Sequence, residues 1–179
     1  MIPHEKAKTV QYVYKGNIIN VRRDEVVFLD GQGSLREIVE HRGAVAVAAI
    51  DDDENIYLVR QFRYAFGEEL LEIPAGKLEE GETDDPLNAA LRELREETGL
   101  TAEHISFCGV IYPSVGMLTE KIYIYTAHGL TKGECDPDED EYLNVEVVPL
   151  KELDELIKKG EIRDAKTICA CYFLGKPGL

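Results

Sequence analysis

Apolar residues in the N-terminal stretch recur at strand spacing. TVQYVYKG (9–16) and NIINVRRDEVVFLDG (17–31) are separated by a turn at Lys15-Gly16-Asn17, and SLREIVEH (34–41) follows a second turn at Gly31-Gln32-Gly33. Three short strands are marginal alone, so this section must pack on the rest of the chain or on a partner. GAVAVAAIDDDENIYLVRQFRY continues with a strand from about Ala44 to Ile50, an acidic turn, and a strand from about Ile56 to Phe62. The first of these is apolar on both faces, which predicts a central place in a sheet.

Beyond Pro74-Ala75-Gly76 the pattern reads as a polar loop and then shifts to a helical period from Pro86 to Thr98. Pro86 suits the first turn, Asp84 or Asp85 can cap it, and Gly99 suits the stop. HISFCGVIY, EKIYIYTAHGL and LNVEVVPL read as strands, the last after the acidic loop KGECDPDEDE; helices follow near Lys151–Lys159 and Asp164–Leu174. The order predicts an α+β fold, a mixed β-sheet flanked by helices, preceded by a small antiparallel β element.

Composition narrows the partners. The 179 residues carry 35 acids against 20 Lys and Arg, a net charge of −15, with 44% hydrophobic residues. Enough apolar surface is present to fold, and the charge argues against nucleic-acid and anionic-membrane partners. A small anionic substrate would need something else to hold it, and a divalent metal is the obvious candidate. Cys108, Cys135, Cys169 and Cys171 show no zinc spacing, and the bland reading is reduced thiols in a cytoplasm. The charged start MIPHEKAKTVQYVYKG does not resemble a signal peptide, and no apolar run is long enough to span a bilayer, so a soluble intracellular protein is expected.

Twenty-two of the 35 acids fall in two windows, 68–97 and 134–161. On the 86–98 helix, Leu87, Ala90, Leu91 and Leu94 share one side and are expected to bury, while Glu93, Glu96 and Glu97 cover roughly the opposite side and are expected not to. A solvated face is the ordinary reading of such a pattern. Yet Glu93 and Glu97 form a like-charge pair four residues apart, costing about 0.2–0.5 kcal/mol, and Arg92 and Arg95 relieve only part of it. Three carboxylates near a helix C-terminus make better sense around a hard cation such as Mg²⁺.

GKLEEGETDDPLNAALRELREETGL, residues 76–100, resembles the Nudix box, G-x5-E-x7-R-E-U-x-E-E-x-G-U with U aliphatic. Arg92 to Leu100 matches its second half at every specified position. Nine residues rather than seven separate Glu82 from Arg92, and the seven-residue spacing lands on Asp84. A two-residue insertion reconciles the counts and leaves Glu82 and Asp84 as alternatives for the first acidic position. REIVEHRGAVAV, LVRQFRYA, LEIPAGKLEEGE and EIRDAKTICA resemble the ADP-ribose pyrophosphatase subgroup, which implies an N-terminal β element (1–41) serving dimerisation and the substrate site, and a Nudix domain (42–179). In that subgroup the two pair across a homodimer. Where the subgroup often has S-P-G-F, this chain has Pro113-Ser114-Val115-Gly116-Met117.

The resemblance implies hydrolysis of the diphosphate of ADP-ribose, or of a related nucleoside diphosphate sugar, to AMP or another NMP and a sugar phosphate, with Mg²⁺ or Mn²⁺ as cofactor. The metal ligands would be Glu93, Glu97 and the carbonyl of Ala75, with Glu96 as a further ligand or orienting group; Arg92 would hold the acid of the preceding loop. Glu120, Glu139 and Glu141 are alternative general bases, and each is equally readable as a solvated loop acid. Arg36 and Arg63 match substrate-binding positions, the bland alternative being a local ion pair. Tyr12, Tyr14 or Phe28 could stack on an adenine, but strand aromatics are more often core and are read so, and His4, His41, His104 and His128 form no cluster at ligand spacing. Two alternatives remain: a pyrophosphatase for another nucleotide sugar such as GDP-mannose, and a catalytically silent ADP-ribose-binding module. The intact glutamate triad argues against the second.

Overall fold

In the strand Ala44–Ile50 (β4) every residue is buried, as a strand covered on both faces must be. A computed structural model describes residues 4–136 and 141–175 of the chain. It divides into two units: the segment ending at Gly43 together with Tyr112–Lys121, and Ala44–Ile111 with Ile122 onward.

The first unit is an antiparallel sheet of β1 (Glu5–Lys15), β2 (Ile19–Phe28) and β3 (Gly33–His41) in the order β1-β2-β3. The Tyr112–Lys121 segment runs along β3: the Val39 amide donates to the Met117 carbonyl at 2.8 Å and the Thr119 amide to the Val39 carbonyl at 3.0 Å. All eleven residues of β1 are exposed, Val10, Tyr12, Val13 and Tyr14 among them. Tyr12 and Tyr14, read from sequence as core, are therefore surface residues, because β1 edges the sheet with neither face covered.

The second unit is built on a mixed sheet in the order β10-β5-β4-β9-β8, comprising β5 (Asn55–Arg63), β8 (Leu100–Ile111), β9 (Ile122–Lys132) and β10 (Leu143–Pro149). β4 runs parallel to β9 and antiparallel to its other partners. Two short strands join it, β6 (Glu68–Glu72) on β5 and β7 (Ala75–Lys77) on β4. These were not legible as strands: Pro74 interrupts the run, and β7 is three residues long.

Alternation along β4 sorts the core into two layers. Val45, Val47 and Ala49 pack with Ala89, Ala90 and Leu94 of helix α1 (Pro86–Thr98), Leu78 and Leu100. Ala46, Ala48 and Ile50 pack with Ile56, Leu58, Ile73 and Ile124 beneath helices α2 (Leu153–Lys158) and α3 (Ala165–Phe173), which contribute Leu153, Ala170 and Cys171. The small side chains let helices approach the sheet from both sides.

Helix α1 spans the expected residues, with Pro86 in its first turn and Gly99 closing it at φ 69°. Two expectations need correction. Asp85 occupies the N-cap position, but its carboxylate accepts from the Asn88 side chain at 2.5 Å and caps no backbone amide. The buried face is Ala89, Ala90, Glu93, Leu94, Glu97 and Thr98, whereas Leu87 is 40% exposed. The helix is covered by β4 and also by the Ala75–Lys77 strand, so its buried arc is wider than the apolar stripe and takes in two glutamates; Leu87 lies too near the N-terminus to be covered.

At Gly99 a Cβ would lie 2.8 Å from the Gly133 carbonyl oxygen and 3.0 Å from the Cys135 amide nitrogen, and the backbone there is left-handed. Gly99→Ala is expected to lower the unfolding free energy by at least about 1 kcal/mol, read from urea denaturation. An unchanged midpoint would show that the 133–135 backbone yields freely.

Candidate active site

Glu93 and Glu97 come one turn apart on α1, and helical geometry turns both toward the chain crossing from β6 into β7. Glu97 is 2% exposed, and its carboxylate accepts from the Ala75 amide at 2.9 Å. Glu93 lies over Gly76, where a Cβ would sit 2.0 Å from its carboxyl group. Only a residue without a side chain admits the carboxylate there.

Arg92 gathers the neighbouring acids. Its Nε and Nη2 donate to the Glu82 carboxylate at 3.2 and 3.0 Å, and its Nη1 donates to Glu93 at 2.9 Å and to Glu96 at 2.8 Å. Burial works against the guanidinium charge, but these carboxylates outweigh it and raise its pKa. The acid that reaches Arg92 is thus Glu82, held on a short 3-10 turn, Glu82–Asp84; this selects it over Asp84 on geometry.

The remaining pair is short of positive charge. Burial, despite the opposing charge of Arg92, pushes Glu93 up to about 7, with the charges of Glu96 and Glu141 adding to the rise. Burial likewise pushes Glu97 up to about 8, against the Ala75 hydrogen bond and with Glu93 and Glu141 contributing. Glu141 therefore acts electrostatically on both buried glutamates. The donor set fits a hard divalent cation: carboxylate oxygens beside a backbone turn, in a place where two like charges share a single close cation, the Arg92 contact to Glu93. The fit is one of donor type and charge, since no group of three or more His, Cys, Asp or Glu is already spaced as an ion cage among the described residues.

The other candidates are placed as follows. Glu120 belongs to the first unit and stands 3.4 Å from His41 Nδ1. Glu139 lies outside the described residues. Arg36, also in the first unit, forms a two-pronged pair with Glu5, Nε at 2.9 Å and Nη2 at 2.5 Å, and lies 5.8 Å from the Phe28 ring centroid. Arg63 forms a similar fork with Glu72, at 2.7 and 2.9 Å. Both arginines thus have carboxylate partners, the arrangement sequence reasoning held as the bland alternative.

A cluster that sequence reasoning missed surrounds Glu72, itself 2% exposed. Lys166 on α3 pairs with Glu72 and also lies 3.1 Å from Asp164. Asp164 caps α3 through the Thr167 amide at 3.0 Å, and the Thr167 hydroxyl in turn accepts from the Ile73 amide at 2.9 Å. The legible signals were an acid set among Leu70, Leu71 and Ile73, and the cap spacing of Asp164 to Thr167. Burial would raise the Glu72 pKa, but Arg63 and Lys166 outweigh it and hold the carboxyl below its ordinary range.

The profile of the NUDIX domain matches residues 40–171. The chain belongs to the Nudix family. This Nudix hydrolase is 41% identical to a methanol dehydrogenase activator of Bacillus methanolicus and 39% identical to an ADP-ribose pyrophosphatase of Bacillus subtilis strain 168, in each case over 95% of this chain and 92% of the relative. A GDP-mannose pyrophosphatase of Enterobacter sp. strain 638 is more distant, at 28% identity over 80% of this chain and 82% of the relative. The fold of this chain matches a crystal structure of an ADP compounds hydrolase with a TM-score of 0.84, at 23% identity and covering 96% of this chain and 92% of that one.

Gly76→Ala is expected to displace the Glu93 carboxylate and weaken Mn²⁺ or Mg²⁺ binding about tenfold in calorimetric titration, with the fold retained. Unchanged affinity would remove Glu93 from the metal site. Because the folded pKa of Glu72 is depressed, its ion pairs contribute stability that is present above the ordinary carboxylate value of 4.5 and is lost as pH falls through the lowered value. The Tm gap between the wild type and Glu72→Gln is therefore expected to be full at neutral pH and to close below about pH 4. A gap constant across that range would contradict the assignment.

Proposed function

We propose that this Nudix hydrolase cleaves the diphosphate bond of ADP-ribose, or of a closely related nucleoside diphosphate sugar, giving AMP or another NMP and a sugar phosphate, with Mg²⁺ or Mn²⁺ bound. The observation that carries this reading is the buried Glu93–Glu97 pair facing Ala75-Gly76, steadied from outside by Arg92. Glu93, Glu97 and the Ala75 carbonyl would hold the metal, with Glu96 as a further ligand or orienting group. A bound Mg²⁺ supplies charge neutralisation for the diphosphate and a lowered pKa for a water at the site.

The chain's own residues do the rest. Arg92 ties Glu82, Glu93 and Glu96 into one rigid group, so the carboxylates need little reorganisation when the substrate arrives. Glu141 is the loop acid whose charge is felt at both buried glutamates, and it is our first choice to take the proton from the attacking water; Glu120 and Glu139 are the alternatives. Arg63 and Arg36 would exchange part of their carboxylate pairing for bidentate contact with the phosphates. The exposed β1, with Val10, Tyr12, Val13 and Tyr14 uncovered, supports pairing of the N-terminal β element with a second copy in a homodimer. The four free cysteines support a reducing, cytoplasmic setting. Among the described residues no helix is long and apolar enough to cross a membrane.

A second reading, activation of a dehydrogenase, is favoured by the relative named for that role. It is tested by assaying a methanol dehydrogenase with and without the protein.

Incubation with a panel of nucleotide sugars is expected to release NMP from ADP-ribose only when Mg²⁺ or Mn²⁺ is present, and Glu97→Gln to lower kcat by at least about 100-fold. Turnover of GDP-mannose alone would displace ADP-ribose as substrate, and tight ADP-ribose binding without turnover would identify a silent binding module. Full activity in Glu97→Gln would refute the metal assignment.

A further inference from the structure

The chain from Glu72 to Gly76 is met at every residue by another part of the second unit. The Glu72 carboxylate is held by Arg63 of β5 and Lys166 of α3. The Ile73 amide donates to the Thr167 hydroxyl at 2.9 Å, the Pro74 carbonyl accepts from the Val47 amide at 2.9 Å, and the Ala75 amide donates to Glu97 at 2.9 Å. Gly76 lies beneath the Glu93 carboxyl group. Two of these five ties come from the first turn of α3, a helix that contributes none of the proposed metal ligands.

Thr167 is the joint of this arrangement. It is 0% exposed, its hydroxyl donates to Asp164 at 2.6 Å and accepts from the Ile73 amide, and Asp164 also pairs with Lys166 at 3.1 Å. A buried backbone amide without an acceptor is costly, so loss of the hydroxyl would force the chain at Ile73 to move in search of one. Ala75 is two residues further on, too near to stay in register with Glu97 if Ile73 shifts.

We infer that Thr167, with Lys166 and Asp164, is a positioning element for the metal site: the first turn of α3 sets where the Ala75 backbone stands relative to Glu97, and so sets metal affinity without touching the metal. This rests on the reading that Glu93, Glu97 and Ala75 form the metal site. It assigns a role to the DAKT segment that the hydrolytic chemistry alone leaves unused. Partners that orient metal ligands typically change affinity by about 10–100-fold when removed.

The test titrates Mn²⁺ alone into the metal-free protein and follows the free-ion signal by electron paramagnetic resonance, with Tm recorded for each variant. Thr167→Val is expected to weaken Mn²⁺ binding about tenfold, and Thr167→Ser, which keeps the hydroxyl, to stay close to the wild type. Leu153→Ala, which opens the same core away from residues 72–76, is expected to lower Tm with Mn²⁺ affinity unchanged. Wild-type affinity in Thr167→Val, or equal weakening in Leu153→Ala, would overturn the inference by making Thr167 a stability residue only. No Mn²⁺ binding by wild-type protein would overturn it together with the metal-site reading. Normal Mn²⁺ binding with no hydrolysis of any nucleotide sugar would instead fail the proposed function and leave the positioning role standing.

Discussion

Two carboxylates buried side by side are an arrangement proteins avoid unless something offsets the repulsion. Glu93 and Glu97 are held in this way by α1 on one side and the Ala75-Gly76 chain on the other, and much of the second unit can be read as what keeps them there. The alanines and valines of β4 are small enough to let α1 sit close. Gly76 leaves room for one carboxylate, and the Ala75 amide satisfies the other. Arg92 satisfies the outer edge of the cluster through Glu82, Glu96 and one contact to Glu93, and leaves the inner edge short of positive charge, which is the condition a hard divalent cation relieves.

How much of this was readable beforehand differs from element to element. The central strand, the 86–98 helix and its glycine stop followed from apolar runs and local turn chemistry, because those signals are contained within a few neighbouring residues. Burial of Glu93 and Glu97 was not readable from the helix wheel. A wheel ranks faces by polarity, whereas the covering of this face depends on Ala75–Lys77, a three-residue strand reaching β4 from elsewhere in the chain. The same limit hid the Glu72 cluster, whose members lie on β5, β6 and α3 and meet only after the sheet has formed. The choice between Glu82 and Asp84 had a similar character: spacing left both open, and the reach of one guanidinium separates them.

Arginines illustrate how an identical residue type takes different work. Arg92 bridges carboxylates that would otherwise repel one another and has little freedom to leave. Arg36 and Arg63 each face a single carboxylate through a two-pronged contact, which fixes the orientation of the fork. In the net charge of −15, a few such cations matter more by location than by number.

The closing turn of α1 also anchors the chain that leads into the acidic loop: the Gly133 amide donates to the Gly99 carbonyl at 2.7 Å and the Asp136 amide to the Glu96 carbonyl at 3.0 Å. On the far side, Leu143 is already in register with Gln61 on β5. The chain on either side of residues 137–140 is therefore fixed at two posts, one of them the helix that carries Glu93 and Glu97. A displacement at the end of α1 would therefore move the buried carboxylates and the chain at Asp136 together.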